Sequence, residues 1–423
     1  MHADLPLSEL APYRVGAWLP SDHAFLTRWL EAMIEKTNAE ARALHPVIAG
    51  FRDAIESDPI LFMLFSQMFE QVPRRPPYNK DPCGKPQVRD YQHMLQLLNT
   101  LLTHAPEYDD TGLVGCPINA IFDWSMGTAA GMAAFLNERV NAQLKNVLNA
   151  WARFLSSADS AYVLNDHPHK GWFGANARQA MPEFAREFVC DPERPHWGFR
   201  SWDDFFTREL RPGVRPVAHP EDAAIITNAC ESAPYRIVRH VNYRDTFWIK
   251  SQPYSIAHLL ASDSLAPLFA GGTVYQAYLS PLSYHRWHSP VSGTVKKVYV
   301  KDGTYFAEAA SHGFDPEGPN DSQAYITEVA TRALIFIEAD SPDIGLMCFV
   351  AVGMAEVSTC QITVYEGQRL MKGAQIGMFH YGGSTHCLVF RAGVKLEFDH
   401  HGQKPGLHAK NIPINCRIAT VVR

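Results

Sequence analysis

The spacing of apolar residues changes character near residue 190, and that change sets the fold class. Upstream, Phe25, Leu26, Trp29, Leu30, Met33 and Ile34 recur every three or four positions, which lines one face of a helix. Ser57-Asp58-Pro59 has the residues that cap and open a second helix, continued by Leu61, Phe62, Leu64, Phe65 and Phe69. Residues 94–102 and 137–155 repeat the pattern, and the proline-rich run 73–90 reads as a linker or long loop. Downstream, residues 190–199 form a connector and 202–216 a short helix that stops at Pro212-Gly213. Short β-branched runs then alternate with Gly and Pro, at 224–227, 273–279, 293–300, 334–337, 348–352 and 362–365. The expected fold is α+β, with a helical N-terminal domain over residues 1–190 and a mainly β domain over 200–423. No internal repeat of 20–50 residues is evident.

Several function classes fall away on composition. A net charge of −6 without a Lys/Arg block argues against a nucleic-acid partner. The first ten residues have neither a basic nor an apolar stretch, so secretion is not expected. No apolar run approaches 18 residues; the nearest, 126–136, is rich in Gly and Ala and reads as a tightly packed helix rather than a transmembrane span. Cysteines 83, 116, 190, 230, 348, 360, 387 and 416 are scattered without a Cys-x-x-Cys pair, as expected of reduced, mostly buried thiols in a cytoplasmic protein. Oligomerisation is left open.

Two short runs carry chemistry. In the first, residues 371–385, Ser384 follows Gly382-Gly383 directly after a strand-like alternation. A serine hydroxyl there can attack the carbonyl of the residue before it, and Gly383, lacking Cβ, tolerates the close approach and the strained backbone this needs. A Gly-Gly-Ser turn between strands is otherwise commonplace. In the second run, Tyr284-His-Arg-Trp-His-Ser-Pro290, His285 and His288 are spaced to face one cavity from a turn. Histidine titrates in the range needed to activate a hydroxyl. Taken alone, His-x-x-His is as consistent with surface, core filling or half of a metal site.

Further pieces line up in order. They are Phe205-Phe206-x-Arg208-x-Leu210-x-Pro212-Gly213-x-Arg215-Pro216, Lys250 with Tyr254-Ser255, Gly272, Tyr278-Leu279-Ser280-Pro281, and Lys372-Gly373 with Gly377 and Phe379. This collinear set, over about residues 200–423, resembles the phosphatidylserine decarboxylase family. The resemblance implies self-cleavage between Gly383 and Ser384 into a β chain, 1–383, and an α chain, 384–423. It implies that Ser384 becomes a covalent pyruvoyl group, with no pyridoxal phosphate and no metal. By the same resemblance His288 is the base for self-cleavage, and His285 acts in decarboxylation near the substrate carboxylate or as proton donor. The pyruvoyl ketone would condense with the substrate amine and accept the electrons released as CO2 leaves.

One departure matters. The family's Ala-Asp-Gly, whose aspartate orients the histidine beside the serine, is here Asn228-Ala-Cys-Glu-Ser232. Cys230 takes the aspartate's register, and Glu231 is the nearest carboxylate; a structural Glu at a turn is an equal reading. Residues 330–332, Ala-Thr-Arg, likewise replace Asn-Glu-Arg. These departures, with Phe336-Ile-Glu-Ala-Asp340 and residues 155–160 and 171–172 of the helical region, resemble a soluble branch that includes fungal L-tryptophan decarboxylases. Thr385 stands where a member of that branch has a second serine. A free aromatic L-amino acid, tryptophan first, is therefore the expected substrate, with phosphatidylserine as the alternative.

Other readings are weaker. Pro168-His169-Lys170 is similar to the lysine motif of pyridoxal-phosphate decarboxylases, but its surroundings lack alternating β/α units. His167/His169 and Asp399-His400-His401 read as exposed histidines, not metal ligands. Residues 289–295 and 364–373 resemble the strands of biotinyl or lipoyl carriers without the carrier's exposed lysine at a hairpin tip. An inactive paralogue serving as a binding scaffold is the remaining non-enzymatic reading.

Overall fold

The computed structural model describes residues 23–39, 43–74, 87–108, 117–245, 254–280, 282–307, 323–353, 356, 359–381, 384–406 and 408–422. Gly382, Gly383 and Lys250, most of the 73–90 run, Cys83 and Cys116 lie outside the described residues.

The N-terminal part is helical: α1 (His23–Ala39), α2 (Pro46–Glu56), α3 (Pro59–Glu70), α4 (Tyr91–Leu101), α5 (Pro117–Met126), α6 (Ala129–Leu136) and α7 (Glu138–Leu155). Its boundaries follow local chemistry. The Asp58 carboxylate accepts from the backbone N–H of Ile60 (2.9 Å) and Leu61, with Pro59 in the first turn. Asn137 caps α7 in the same way through Arg139 N–H. The Gly/Ala-rich α6 is short because it lies against the end of α5: a Cβ on Gly131 would collide with the backbone of Ser125 and Met126. Three short helices, α8 (Ala175–Ala180), α9 (Phe184–Glu187) and α10 (Trp202–Phe206), lead up to the β region, and α11 (Ile256–Leu259) and α12 (Gln323–Val329) interrupt it.

The rest is β: β1 (Ile225–Thr227), β2 (Ala233–Val241), β3 (Gly272–Leu279), β4 (Arg286–His288), β5 (Gly293–Lys301), β6 (Arg332–Ala339), β7 (Leu346–Gly353), β8 (Thr359–Ile362), β9 (Arg369–Leu370), β10 (Gln375–His380), β11 (Ser384–Phe390), β12 (Leu396–Phe398) and β13 (Arg417–Val421). A seven-stranded sheet runs β2-β3-β11-β7-β6-β5-β9, and two three-stranded sheets run β4-β10-β8 and β1-β13-β12. All pairings between these strands are antiparallel. The architecture is α+β, as the change of period implies. Boundaries moved at two of these runs. The helix expected over 202–216 ends at Phe206, because Leu210 instead bridges to Phe188. The run expected at 362–365 is strand only up to Ile362, because Tyr365 enters a turn closed by Gln368 N–H to Tyr365 O.

Alternation along β11 splits the β core. Leu388 and Phe390 face a cluster with Tyr275, Trp287, Phe349 and Phe379, enclosed between the large sheet and β4-β10-β8. Cys387 and Val389 face the opposite cluster with Tyr254 and Phe269. The helical region has its own core, which takes in Tyr284, Tyr305, Phe306 and Tyr381 from the β region.

Packing within the small sheet is tight at Gly377 of β10, where a Cβ would run into the Trp287 ring of β4 and the Gln361 carbonyl of β8. Gly377→Ala is expected to cost about 1–3 kcal/mol through overpacking, read as a lower thermal unfolding midpoint. A midpoint equal to that of the parent would show that Trp287 can shift at no cost.

Candidate active site

Ser384 opens β11, where the chain leaves the small sheet for the large one. It pairs with Leu279 of β3 on one side and Gly353 of β7 on the other, and is buried. Among the described residues its Oγ has no hydrogen-bond partner. A buried hydroxyl without a partner costs free energy, and such groups concentrate where chemistry is done.

Tyr381, three residues before Ser384, is held under strain. Tyr381 has φ of +47°, a left-handed conformation unfavourable for a side chain of this kind. Its ring is gripped by Trp151 of α7 at 4.6 Å, Phe206 at 5.8 Å and Trp202 at 6.0 Å between centroids. His380 Nδ1 meets Asp203 of α10 at 2.9 Å, and its Nε2 meets Gln361 Oε1 at 2.6 Å. The helical region therefore anchors His380 and Tyr381 at the end of β10.

The two predicted histidines have different surroundings. His285 is fully buried, stacked on Phe206 at 3.9 Å, and neither ring nitrogen has a hydrogen bond among the described residues. Burial, then the charge of Arg208, pushes it well below the usual histidine range, so it is neutral. Its carbonyl accepts from Phe379 N–H at 2.9 Å, which ties it to β10. His288 lies on the opposite side of β4 from Trp287, and its Nε2 is 3.1 Å from the Tyr284 hydroxyl. Burial, then Arg286, pushes His288 down to about 4, against the favourable Gly373 backbone and Asn415 side chain. The described structure shows neither imidazole bonded to Ser384 Oγ.

Glu231 is not joined to His288. It accepts from Arg215 at 2.8 Å and from Ile414 N–H at 2.9 Å, and Arg215 also bridges to Glu187 at 3.0 Å. Cys230 is fully buried in the core, its thiol pushed up by desolvation. The group that touches His288 is Tyr284. Sequence reasoning quoted Tyr284 within the motif but gave it no role, and Asn415 carried no pattern at all. Arg208 explains the Phe-Phe-x-Arg run: its guanidinium donates to the carbonyls of Leu282 (2.6 Å) and Ser283 (2.9 Å), just ahead of the histidines.

The competing motifs sit elsewhere. Lys170 is exposed and ion-paired with Glu107 at 3.0 Å. His167 Nδ1 accepts from His169 N–H and Lys170 N–H within its own turn, and His401 Nε2 meets the Arg417 carbonyl at 2.9 Å. Lys372 is buried, donating to the carbonyls of His219 (2.9 Å) and Asp222 (2.7 Å), so it is not a carrier's exposed lysine. Among the described residues no helix is long and apolar enough to cross a membrane.

An α+β enzyme whose buried serine opens β11 shortly after the strained Tyr381, with a histidine motif leading into β4 of the smaller sheet, is the class these features define. Sequence patterns of two domains, both described as phosphatidylserine decarboxylase, match residues 45–181 and 202–408. The chain belongs to the phosphatidylserine decarboxylase family and is a decarboxylase. It is similar to decarboxylase iboD of Amanita muscaria, with 45% identity over 65% of this chain and 84% of that one. It is similar to the L-tryptophan decarboxylase of Psilocybe cubensis, with 37% identity over 93% of this chain and 92% of that one. Phosphatidylserine decarboxylase proenzyme 3 of Schizosaccharomyces pombe is 31% identical over 48% of this chain and 20% of its own length.

Proposed function

We propose that this chain decarboxylates a free aromatic L-amino acid, L-tryptophan first, after cutting itself between Gly383 and Ser384. The observation that carries the reading is the buried, unpartnered Ser384 Oγ at the head of β11, next to the strained Tyr381 turn. Similarity to L-tryptophan decarboxylases along nearly the whole chain supports the substrate.

In maturation, Ser384 Oγ adds to the Gly383 carbonyl and replaces the amide with an ester. Loss of the Ser384 Cα proton and breakage of its Cβ–O bond release Gly383 as a carboxylate. The enamine left at 384 takes up water and releases ammonia, leaving a ketone. His288, neutral above about pH 4, is the proposed base for the hydroxyl proton, with Tyr284 orienting its ring. Ser384 suits a pyruvoyl precursor because its hydroxyl has no competing partner. A pyruvoyl group supplies an electron sink through its ketone and adjoining amide. His285, neutral in an apolar setting beside Phe206, is the proposed group to act on the substrate carboxylate or return a proton at Cα.

The test is to supply L-tryptophan and phosphatidylserine vesicles separately and to identify the amine formed. Tryptamine is the expected product. Phosphatidylethanolamine alone would move the substrate to the phospholipid, and an uncut chain forming no amine would leave a binding scaffold.

A further inference from the structure

Maturation and decarboxylation leave a fully buried histidine beside Ser384 unused. His386 lies two residues after Ser384 on β11, so the two side chains share one face of the sheet. It is fully buried, and neither ring nitrogen has a hydrogen bond among the described residues. Burial holds it down to about 3, so the ring is neutral, and the Ala277 carbonyl favours charge without completing a hydrogen bond. An imidazole left this way in a sheet interior costs stability that leucine or valine would not.

The neighbouring rows show what the space suits. The cross-strand partners of His386 are Ala277 and Ala351, and Gly353 is one partner of Ser384. Small residues thus flank His386 on both sides, while Ser384 lies between Leu279 and Gly353. Around His386 stand aromatic rings: Tyr275 at 6.1 Å and Phe349 at 5.8 Å from it, with Trp287 at 5.6 Å from Phe349. The Tyr275 hydroxyl and Trp287 Nε1 are also buried without a hydrogen-bond partner among the described residues. Residues two apart on one strand face stand about 6.8 Å apart, which matches the reach of an aromatic amino-acid side chain bound through its amine at position 384.

We propose that His386 is the polar anchor of the substrate's side-chain subsite, accepting a hydrogen bond from a ring N–H in the aromatic compartment beside Ser384. The inference rests on the aromatic amino-acid reading above and adds the basis of its specificity: a heteroaromatic ring with an N–H donor is favoured over a plain hydrocarbon ring. A neutral imidazole with a free ring nitrogen is the right acceptor, since a charged ring would present donors only.

The experiment compares kcat/KM for L-tryptophan, L-phenylalanine and 3-benzothienyl-L-alanine, which keeps the indole shape without the N–H. The proteins are the parent, His386→Leu and His386→Asn, with intact mass confirming cleavage in each. In the parent, the benzothienyl analogue should be about ten- to a hundredfold poorer than tryptophan, because its ring leaves a buried acceptor unpaired. In His386→Leu that gap should close to within about threefold, with phenylalanine turnover kept, and His386→Asn should restore part of it. Equal turnover of tryptophan and its analogue by the parent overturns the anchor, and this holds even where His386→Leu fails to fold. So does a His386→Leu enzyme that loses all three substrates in proportion, which marks a purely structural histidine. A parent that cuts itself but converts none of the three removes the aromatic reading and the anchor with it, a failure visible before any variant is made.

Discussion

Ser384→Ala leaves one uncut chain of 423 residues and no decarboxylase activity. The substitution removes one oxygen from a fully packed site, so the fold should persist: Ser384 Oγ makes no hydrogen bond that alanine would break among the described residues. The parent should instead give two species on denaturing mass spectrometry, residues 1–383 and 384–423, the smaller lacking a free amino terminus. Without the hydroxyl there is no ester and no elimination, so the loss is complete rather than fractional. A variant that still splits at the same bond would show that another nucleophile does the cutting. A parent chain that also stays uncut, heavier than the variant only by the one oxygen, would break the reading of Ser384 itself.

The second large effect separates the histidines. His288→Asn should slow cleavage by about a hundredfold or more, the usual contribution of a positioned general base. His285→Asn should cut normally and then fail to decarboxylate. The pH dependence follows from burial. His288 is neutral above about 4, so the cleavage rate should be flat from pH 8 to 5 and fall as pH drops through about 4, where protonation removes the base. A time course of chain splitting in each variant, across pH, checks both statements. The reverse pattern, an uncut His285→Asn beside a cut His288→Asn, would move the base to His285. The geometry makes that a pointed test, since His288 Nε2 is already engaged by Tyr284 and both nitrogens of His285 lack hydrogen bonds among the described residues.

Much of this was legible in the sequence because it is written in local chemistry. Pro59 behind Asp58, Asn137 before α7 and the alternating runs 273–279 and 348–352 announce their elements through caps and period. The Ser384 and histidine motifs were also readable, being short and contiguous. What no local pattern carries is contact across long separations. Nothing around Trp151 says that its ring grips Tyr381. Nothing in residues 412–416 announces that Glu231 accepts from Ile414 N–H, or that Asn415 lies beside His288. Glu231 illustrates the difficulty. Its position in sequence suggests a partner for His288, but Arg215, 16 residues upstream, claims the carboxylate because a bidentate guanidinium pair outcompetes a neutral imidazole. The same holds for His386, whose meaning depends on the alanines facing it from two other strands.

The placement of β11 has a consequence for the life of the protein after cutting. The segment from residue 384 onward contributes an interior strand between β3 and β7, and β13 lies between β1 and β12. With the 383–384 bond cut as proposed, those strands would hold two separate polypeptides together through what remains the middle of a domain. Folding has then changed molecularity: the precursor reaches this arrangement as one chain, whereas the severed pieces would have to meet in solution and interleave. The proposed cut would thus have to come after folding, and the lifetime of the severed protein would be governed by how rarely the sheet opens rather than by how readily it reforms.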